Sequence, residues 1–307
     1  MSAVELQSVS RWYGTVLGLS RVDLSLGSGV TALLGPNGAG KSTLIRLVSG
    51  QLRPSSGNVR VFGENPFANP SVAAHLGLVP EEEGFPPRVS GKDWVCYLLR
   101  LHGYGSTESS QRAEHTLEEV RLDTVAHRPV STYSRGMRQR LKLAQAIAHH
   151  PDLLILDEPL AGLDPVGRRE MIDWIKAWGN KGHSVLVSSH ILHEVELMTR
   201  EIVLMNQGRV LASGNVHDIR RLIDAHPHRV RLSTPTPKIL AAQLLDFPGI
   251  RSISFSEERE QVELETKEPE RFYELLANLA LEEHITVHEM TSPDDNLEAV
   301  FKYLVEP

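Results

Sequence analysis

From Gly35 to Thr43 the chain reads GPNGAGKST, which fits the phosphate-cradling spacing G-x-x-x-x-G-K-[ST]. Gly35, Pro36, Asn37, Gly38, Ala39 and Gly40 are mostly small, so consecutive backbone N–H groups can point inward around the α and β phosphates of a nucleotide. The positive end of the helix that should follow adds a favourable field. Lys41 would then reach the β and γ phosphates, Ser42 would offer its hydroxyl to Mg²⁺, and Thr43 completes the motif. A second run, LLILDEP from Leu153 to Pro159, reads as a buried strand ending in adjacent carboxylates. Neighbours at a strand end point in different directions, so Asp157 can hold the metal's water shell while Glu158 faces the reacting phosphate as general base or water-positioning residue. The two motifs together indicate nucleotide hydrolysis.

These residues need strands that stop abruptly at one place. VTALLG (Val30 to Gly35) is a continuous apolar run of the buried type, and a helix is predicted from Lys41 to about Ser49. LGLV (Leu76 to Val79), LLILD and SVLVSS (Ser184 to Ser189) are further buried strands, whereas VELQSV (Val4 to Val9) and VDLSL (Val22 to Leu26) alternate as half-exposed antiparallel strands do. The order is α/β. Between Pro86 and His150 helical spacing dominates, in DWVCYLLRLH (Asp93 to His102) and RQRLKLAQAIAHH (Arg138 to His150), which predicts an inserted helical subdomain over about 86–150. After Gly214 the segments RVRLST, KILAAQLL, IRSISF, QVELET, RFYELLANLA and ITVHEM (Ile285 to Met290) run strand, helix, strand, strand, helix, strand. That order predicts a small ferredoxin-like α+β domain over 215–307, closed by a helix in NLEAVFKYLV.

The 307 residues are comfortable for two domains. The net charge is −7, and residues 215–307 hold 10 basic and 18 acidic side chains, an excess that argues against binding nucleic acid or an anionic lipid surface. The lone cysteine, Cys96, cannot form an internal bridge, and it lies in an apolar helical run where packing is its expected role. No apolar run is long enough to span a bilayer, and the start lacks a signal-peptide pattern, so a cytoplasmic location is expected. The pairs His190/His193 and His226/His228 lack the companions of a zinc set. His149 and His150 read as a helix end, where an imidazolium suits the helix dipole.

The ordered set GPNGAGKST, YSRGMRQR (Tyr133 to Arg140), LLILDEP, AGLD (Ala161 to Asp164) and SSH (Ser188 to His190) resembles the ATP-binding-cassette ATPases over about Val4 to Gly214. The resemblance implies a P-loop cassette fold binding ATP and Mg²⁺. It implies that Ser134 and Gly136, at the start of a helix, bind the γ-phosphate of ATP held by a second cassette. It also implies that His190 contacts that phosphate and orders the attacking water, that Asp164 couples two sites across a dimer, and that Tyr13 stacks on adenine. Trp12 competes for the last role.

Two positions depart from the family pattern. Glu81 stands where a Gln is common; a carboxylate can touch Mg²⁺ or its water but cannot donate a hydrogen bond as an amide does. The signature reads Tyr133-Ser134-Arg135-Gly136-Met137, with Arg135 and Met137 replacing Gly and Gln. Both are similar to the cassettes of bacterial exporters whose permease is a separate polypeptide. One phosphate loop and one signature per chain then require a homodimer, peripheral on the inner membrane face, with a permease helix received near Glu81 to Arg88 and Phe85 in contact with it. The alternative is a non-transport cassette acting on ribosomes or DNA; the acidic tail opposes it.

Overall fold

In the computed structural model, residues 2–222, 228–282 and 285–292 are described. The chain divides into two units, Met1–Gly214 and Asn215–Pro307. The first opens with β1 (Val4–Tyr13), β2 (Val16–Leu26) and β3 (Gly29–Leu34), then α1 (Lys41–Val48), β4 (Ser56–Val61), α2 (Pro70–Ala74) and β5 (Leu76–Val79). A helical stretch follows: α3 (Gly91–Leu101), α4 (Ser106–Glu119) and α5 (Arg135–Ile147). The unit closes with β6 (Leu153–Leu156), α6 (Pro165–Asn180), β7 (Ser184–Ser189), α7 (Leu192–Met198), β8 (Glu201–Asn206) and β9 (Arg209–Asn215).

β2, β1 and β4 form a three-stranded antiparallel sheet, and β5, β6, β7, β3, β8 and β9, in that spatial order, form a six-stranded sheet. The ladders joining β5, β6, β7, β3 and β8 are parallel, and β6 and β7 are buried along their whole length. Both faces of this sheet are covered, which is why β6 reads LLIL and β7 centres on Val185, Leu186 and Val187. Leu44, Leu47 and Val48 of α1 share one core with Val4, Leu6 and Leu19 of the antiparallel sheet and with Leu33, Ile155 and Leu186 of the parallel one. The helix after the phosphate loop is thus held on two sides.

Leu34 pairs with Ser189 and Leu156 with Val187, so β3, β6 and β7 end at nearly one level. The loops leaving those ends open one crevice outside the carboxyl edge of the sheet, where ligands of open α/β sheets bind.

α3 and α5 begin on side-chain caps, whereas α4 follows Gly105 without one. Ser90 Oγ accepts from the Asp93 N–H at 3.1 Å, and Ser134 Oγ accepts from the Met137 N–H at 3.2 Å. α5 ends at Ile147, just short of the His149–His150 pair, and the dipole reading of His149 is corrected here. His149 is only 8% exposed, its ring stacks on His102 at 4.2 Å, and its Nε2–H donates to Leu76 O at 3.1 Å. Desolvation overrides the dipole and pushes its pKa down to about 4, so the ring is neutral.

The second unit comprises α8 (Val216–Leu222), β10 (His228–Ser233), α9 (Pro237–Leu244), β11 (Ile250–Ser256), β12 (Gln261–Thr266), α10 (Pro269–Glu282) and β13 (Glu289–Thr291). Its antiparallel sheet has the order β11-β12-β10-β13, which is ferredoxin-like. Val230, Leu232, Leu240, Leu244, Val262, Leu264 and Phe272 form its core. The last strand is shorter than ITVHEM predicts, because β10 ends at Ser233 and residues ahead of His288 have no ladder partner there. The expected helix in NLEAVFKYLV and the residue His226 lie outside the described residues.

A base held neutral by burial stabilises the fold above its unfolded pKa and loses that contribution as pH falls from the ordinary 6.5 towards 4. Between pH 7 and pH 5 His149 should account for about 2 kcal/mol of lost stability. His149→Gln, which keeps an N–H donor but does not titrate there, should show a smaller drop in urea midpoint over that range than the parent. An identical drop would contradict the assignment.

Candidate nucleotide site

The crevice at the strand ends is a cleft of about 450 Å³, walled by Tyr13, by Pro36 to Thr43, and by Glu81, Asp157, Glu158 and His190. Its floor is the loop from β3 to α1. A side chain at Gly35 would place Cβ 2.3 Å from Met205 O, and at Gly40, which has φ +105°, 2.8 Å from Gly18 O. Only glycine fits either place, and the tight loop that results turns the start of α1 toward the cleft. Lys41 Nζ folds back over this loop, donating to Gly35 O at 2.5 Å and Pro36 O at 3.4 Å. Burial pulls the Lys41 pKa down, opposed by the carboxylates of Glu158, Asp157 and Glu81. A desolvated ammonium beside backbone donors is a site for a polyanion.

On the opposite wall one hydroxyl organises the carboxylates. Ser188 Oγ, on β7, donates to Asp157 Oδ1 at 2.6 Å and accepts from the Glu158 N–H at 2.9 Å. Asp157 N–H also donates to Val79 O at 2.9 Å, which ties the end of β6 to the end of β5. Glu158 adopts φ +48°, a conformation that costs a residue with a β-carbon and persists where its surroundings fix it. The strained turn aims its carboxylate at His190, whose Nδ1 lies 3.0 Å from both Glu158 oxygens. A carboxylate paired with an imidazole can accept a proton from water and orient what it attacks.

Ser42, Glu81 and Asp157 place hard oxygen donors along this cleft. That donor set suits Mg²⁺, which binds one or two protein oxygens and completes its shell with phosphate oxygens and waters. Tyr13 faces the same space with its hydroxyl 3.4 Å from Thr43 Oγ1, while Trp12, the next residue, lines a different groove beside Arg21 and Arg209. Between the two aromatics, Tyr13 is therefore the one at the cleft.

Ser134, Gly136 and Asp164 do not line it. Ser134 caps α5, and Asp164 caps α6 by accepting from the Gly167 N–H at 2.8 Å. Arg135, the unusual signature residue, packs on the backbone of Gly162, where a β-carbon would lie 1.9 Å from its Nε. The signature and the loop before α6 therefore touch each other. Residue reasoning missed Ser188 as an organising group; its signal is the hydroxyl pair Ser188–Ser189 that closes β7 after the apolar run Val185 to Val187. It also missed Gln139 and Lys142, buried polar side chains of α5 whose signal is weak because they sit among ordinary helix formers.

The fold and this cleft define a nucleoside-triphosphate cassette. The ABC transporter family model matches residues 19–161. The daunorubicin/doxorubicin resistance ATP-binding protein DrrA of Streptomyces peucetius is 30% identical over 301 residues, covering 97% of this chain and 91% of that protein. The linearmycin resistance ATP-binding protein LnrL of Bacillus subtilis (strain 168) is 29% identical over 97% of this chain and 96% of its own length. A solved structure of an ATP-binding subunit of an ABC transporter superposes with a TM-score of 0.66 at 28% identity, covering 72% of this chain and 93% of that one. This chain belongs to the ATP-binding proteins of ABC transporters, and it is an ATPase. No helix among the described residues is long and apolar enough to cross a membrane.

Proposed function

We propose that the chain powers export through a separate membrane permease, working as a homodimer that closes on two ATP molecules and opens after hydrolysis. The observation that carries the reading is the Glu158–His190 pair at the head of the phosphate-loop cleft, with the signature residues Ser134 and Gly136 outside it. A cleft with a phosphate cradle and a base but no signature is half a site, and a second copy of the chain supplies the missing half in a two-fold arrangement. Asp164, beside the signature at the α6 cap, is suited to link one half-site to the other.

The chemistry follows from where each group sits. The N–H groups of Pro36's successors in the loop and the start of α1 bind the α and β phosphates, and Lys41 leaves its two carbonyl partners for the β and γ oxygens. Tyr13 stacks on the adenine. Glu158 takes the proton of the attacking water as the new P–O bond forms, and His190 holds the carboxylate through Nδ1, keeping Nε2 for the γ-phosphate. Ser188 fixes the aim of Glu158 through its backbone N–H. Ser42, Asp157 and Glu81 would hold Mg²⁺, which supplies charge neutralisation at the β and γ oxygens when bound. Cleavage converts one bridging polyanion into two anions that repel, and the copies separate.

The names of the two relatives describe daunorubicin/doxorubicin resistance and linearmycin resistance, which supports export as the direction. An aromatic patch close to Glu81 to Arg88 suits a permease's apolar cytoplasmic helix. Phe85 meets Trp94 edge-on at 6.1 Å, Trp94 stacks with Tyr97 at 6.0 Å, and Tyr97 and Leu101 are 55% and 67% exposed. Docking there would hold the chain on the inner face of the membrane. The acidic tail disfavours a nucleic-acid partner.

Glu158→Gln should bind ATP with near-parental affinity, lose turnover by about 100-fold or more, and sediment as a dimer with ATP and Mg²⁺. Parental turnover in that variant would remove the role given to Glu158. Tagged chain isolated from detergent extracts of its host should carry an integral membrane protein with it; recovery of the chain alone, under conditions that keep known transporters intact, would contradict the permease reading.

A further inference from the structure

Lys142 sits in the middle of α5, flanked by the buried Leu141, Leu143 and Ala144, and is itself 3% exposed. A lysine so buried carries a desolvation cost that must be offset by hydrogen bonds. Its Nζ donates to Pro80 O at 2.8 Å and to Glu81 O at 2.9 Å. One turn earlier, on the same face, Gln139 is 4% exposed and its Nε2–H donates to Pro159 O at 2.7 Å. Arg138 Nε lies 2.7 Å from Glu83 Oε2. The helix that starts at the signature therefore grips both loops that border the nucleotide cleft, the one after β5 that carries Glu81 and the one after β6 that carries Glu158.

The two grips differ in what else holds each loop. The turn after β6 is pinned independently by Ser188 and by the Ala161 N–H donating to Glu158 O at 3.2 Å. Glu81 to Gly84 lie outside helices and strands and are exposed, and beyond Lys142 the hold on them from α5 is the ion pair of Arg138 with the Glu83 side chain. The backbone carbonyls of Pro80 and Glu81 are thus anchored to α5 by a single ammonium. Burial pulls that ammonium's pKa down, while Glu83, Glu81 and Asp157 pull it back up.

We infer that Lys142 is a positioning residue: by holding the backbone of Pro80 and Glu81 against α5, it keeps the Glu81 carboxylate at the cleft. The inference rests on the reading of Glu81 as a group that faces Mg²⁺. It explains why a site with Glu in place of the more usual amide has a buried cation behind it. A glutamate among Asp157 and Glu158 is repelled by their charge, and an anchor on its backbone keeps it in place without neutralising its carboxylate. Because Ser134 caps α5, the same anchor links the Glu81 loop to the signature along one helix.

The test uses the full chain and two readouts. In nucleotide-free protein, Lys142→Met should raise the rate of limited cleavage by a glutamate-specific protease at Glu81 to Glu83 about tenfold, while the amides of β6 keep their parental hydrogen–deuterium protection. The Mg²⁺ concentration for half-maximal ATP hydrolysis should rise about tenfold in Lys142→Met and in Glu81→Ala alike, with no further rise when the two are combined. If Glu81→Ala leaves the Mg²⁺ requirement unchanged, the reading of Glu81 falls and the inference falls with it. If Glu81→Ala shifts the requirement but Lys142→Met moves neither readout, or the two effects add, Lys142 does not act through Glu81 and this inference alone is overturned. Should Lys142→Met fail to fold, Lys142→Gln, whose amide can still donate to one carbonyl, should give smaller shifts of the same sign, and parental values in it would be equally decisive.

Discussion

The site depends on one hydroxyl placed where two parallel strands end together. Ser188 Oγ serves Asp157 as a donor and the Glu158 backbone as an acceptor, so it fixes two adjacent carboxylates that mutual repulsion would otherwise spread. This bridge exists only because β6 and β7 pair in a register that sets Leu156 beside Val187. A one-residue slip would turn Ser188 to the other face of the sheet and leave Glu158 without the contact that holds its left-handed turn. The continuous apolar strands are therefore what makes the chemistry possible: burial on both faces specifies the register, and the register specifies the carboxylates.

The phosphate loop is built by the opposite strategy. It places backbone rather than side chains at the cleft, and its glycines sit against Met205 O and Gly18 O, where a β-carbon would collide. The core around α1 receives side chains from two sheets, so the helix that meets the phosphates cannot shift without disturbing both. Ser134 and Asp164 cap helices, and Gly136 lies in the first turn of one, all away from the cleft of their own chain.

Much of this is legible in the residues because its causes are local. GPNGAGKST announces its loop through small residues and a lysine at fixed spacing, and β7 occupies the residues SVLVSS that the apolar run delimits. The ferredoxin-like order in the second unit follows from period-two strands such as β12, where every second residue is buried. What escaped has causes distant in sequence. Lys142 and Gln139 look like surface helix residues until β5 and β6 bring carbonyls to them. His149 lies close to a helix end, yet His102 and Leu76 bury it and reverse its charge state. Tyr13 and Trp12 are adjacent aromatics on one strand, and alternation sends only the first of them to the cleft.

The central claim is that each ATP is handled by the loop of one copy and the signature of another. Mixing two inactive variants of the full chain, Lys41→Ala and Ser134→Arg, tests it directly. Split sites predict that mixed dimers contain one undamaged site and that a 1:1 mixture regains about a quarter of parental ATPase activity, by the statistics of two-fold pairing. A mixture no more active than either variant alone, at concentrations where mixed dimers are demonstrated, would contradict the account.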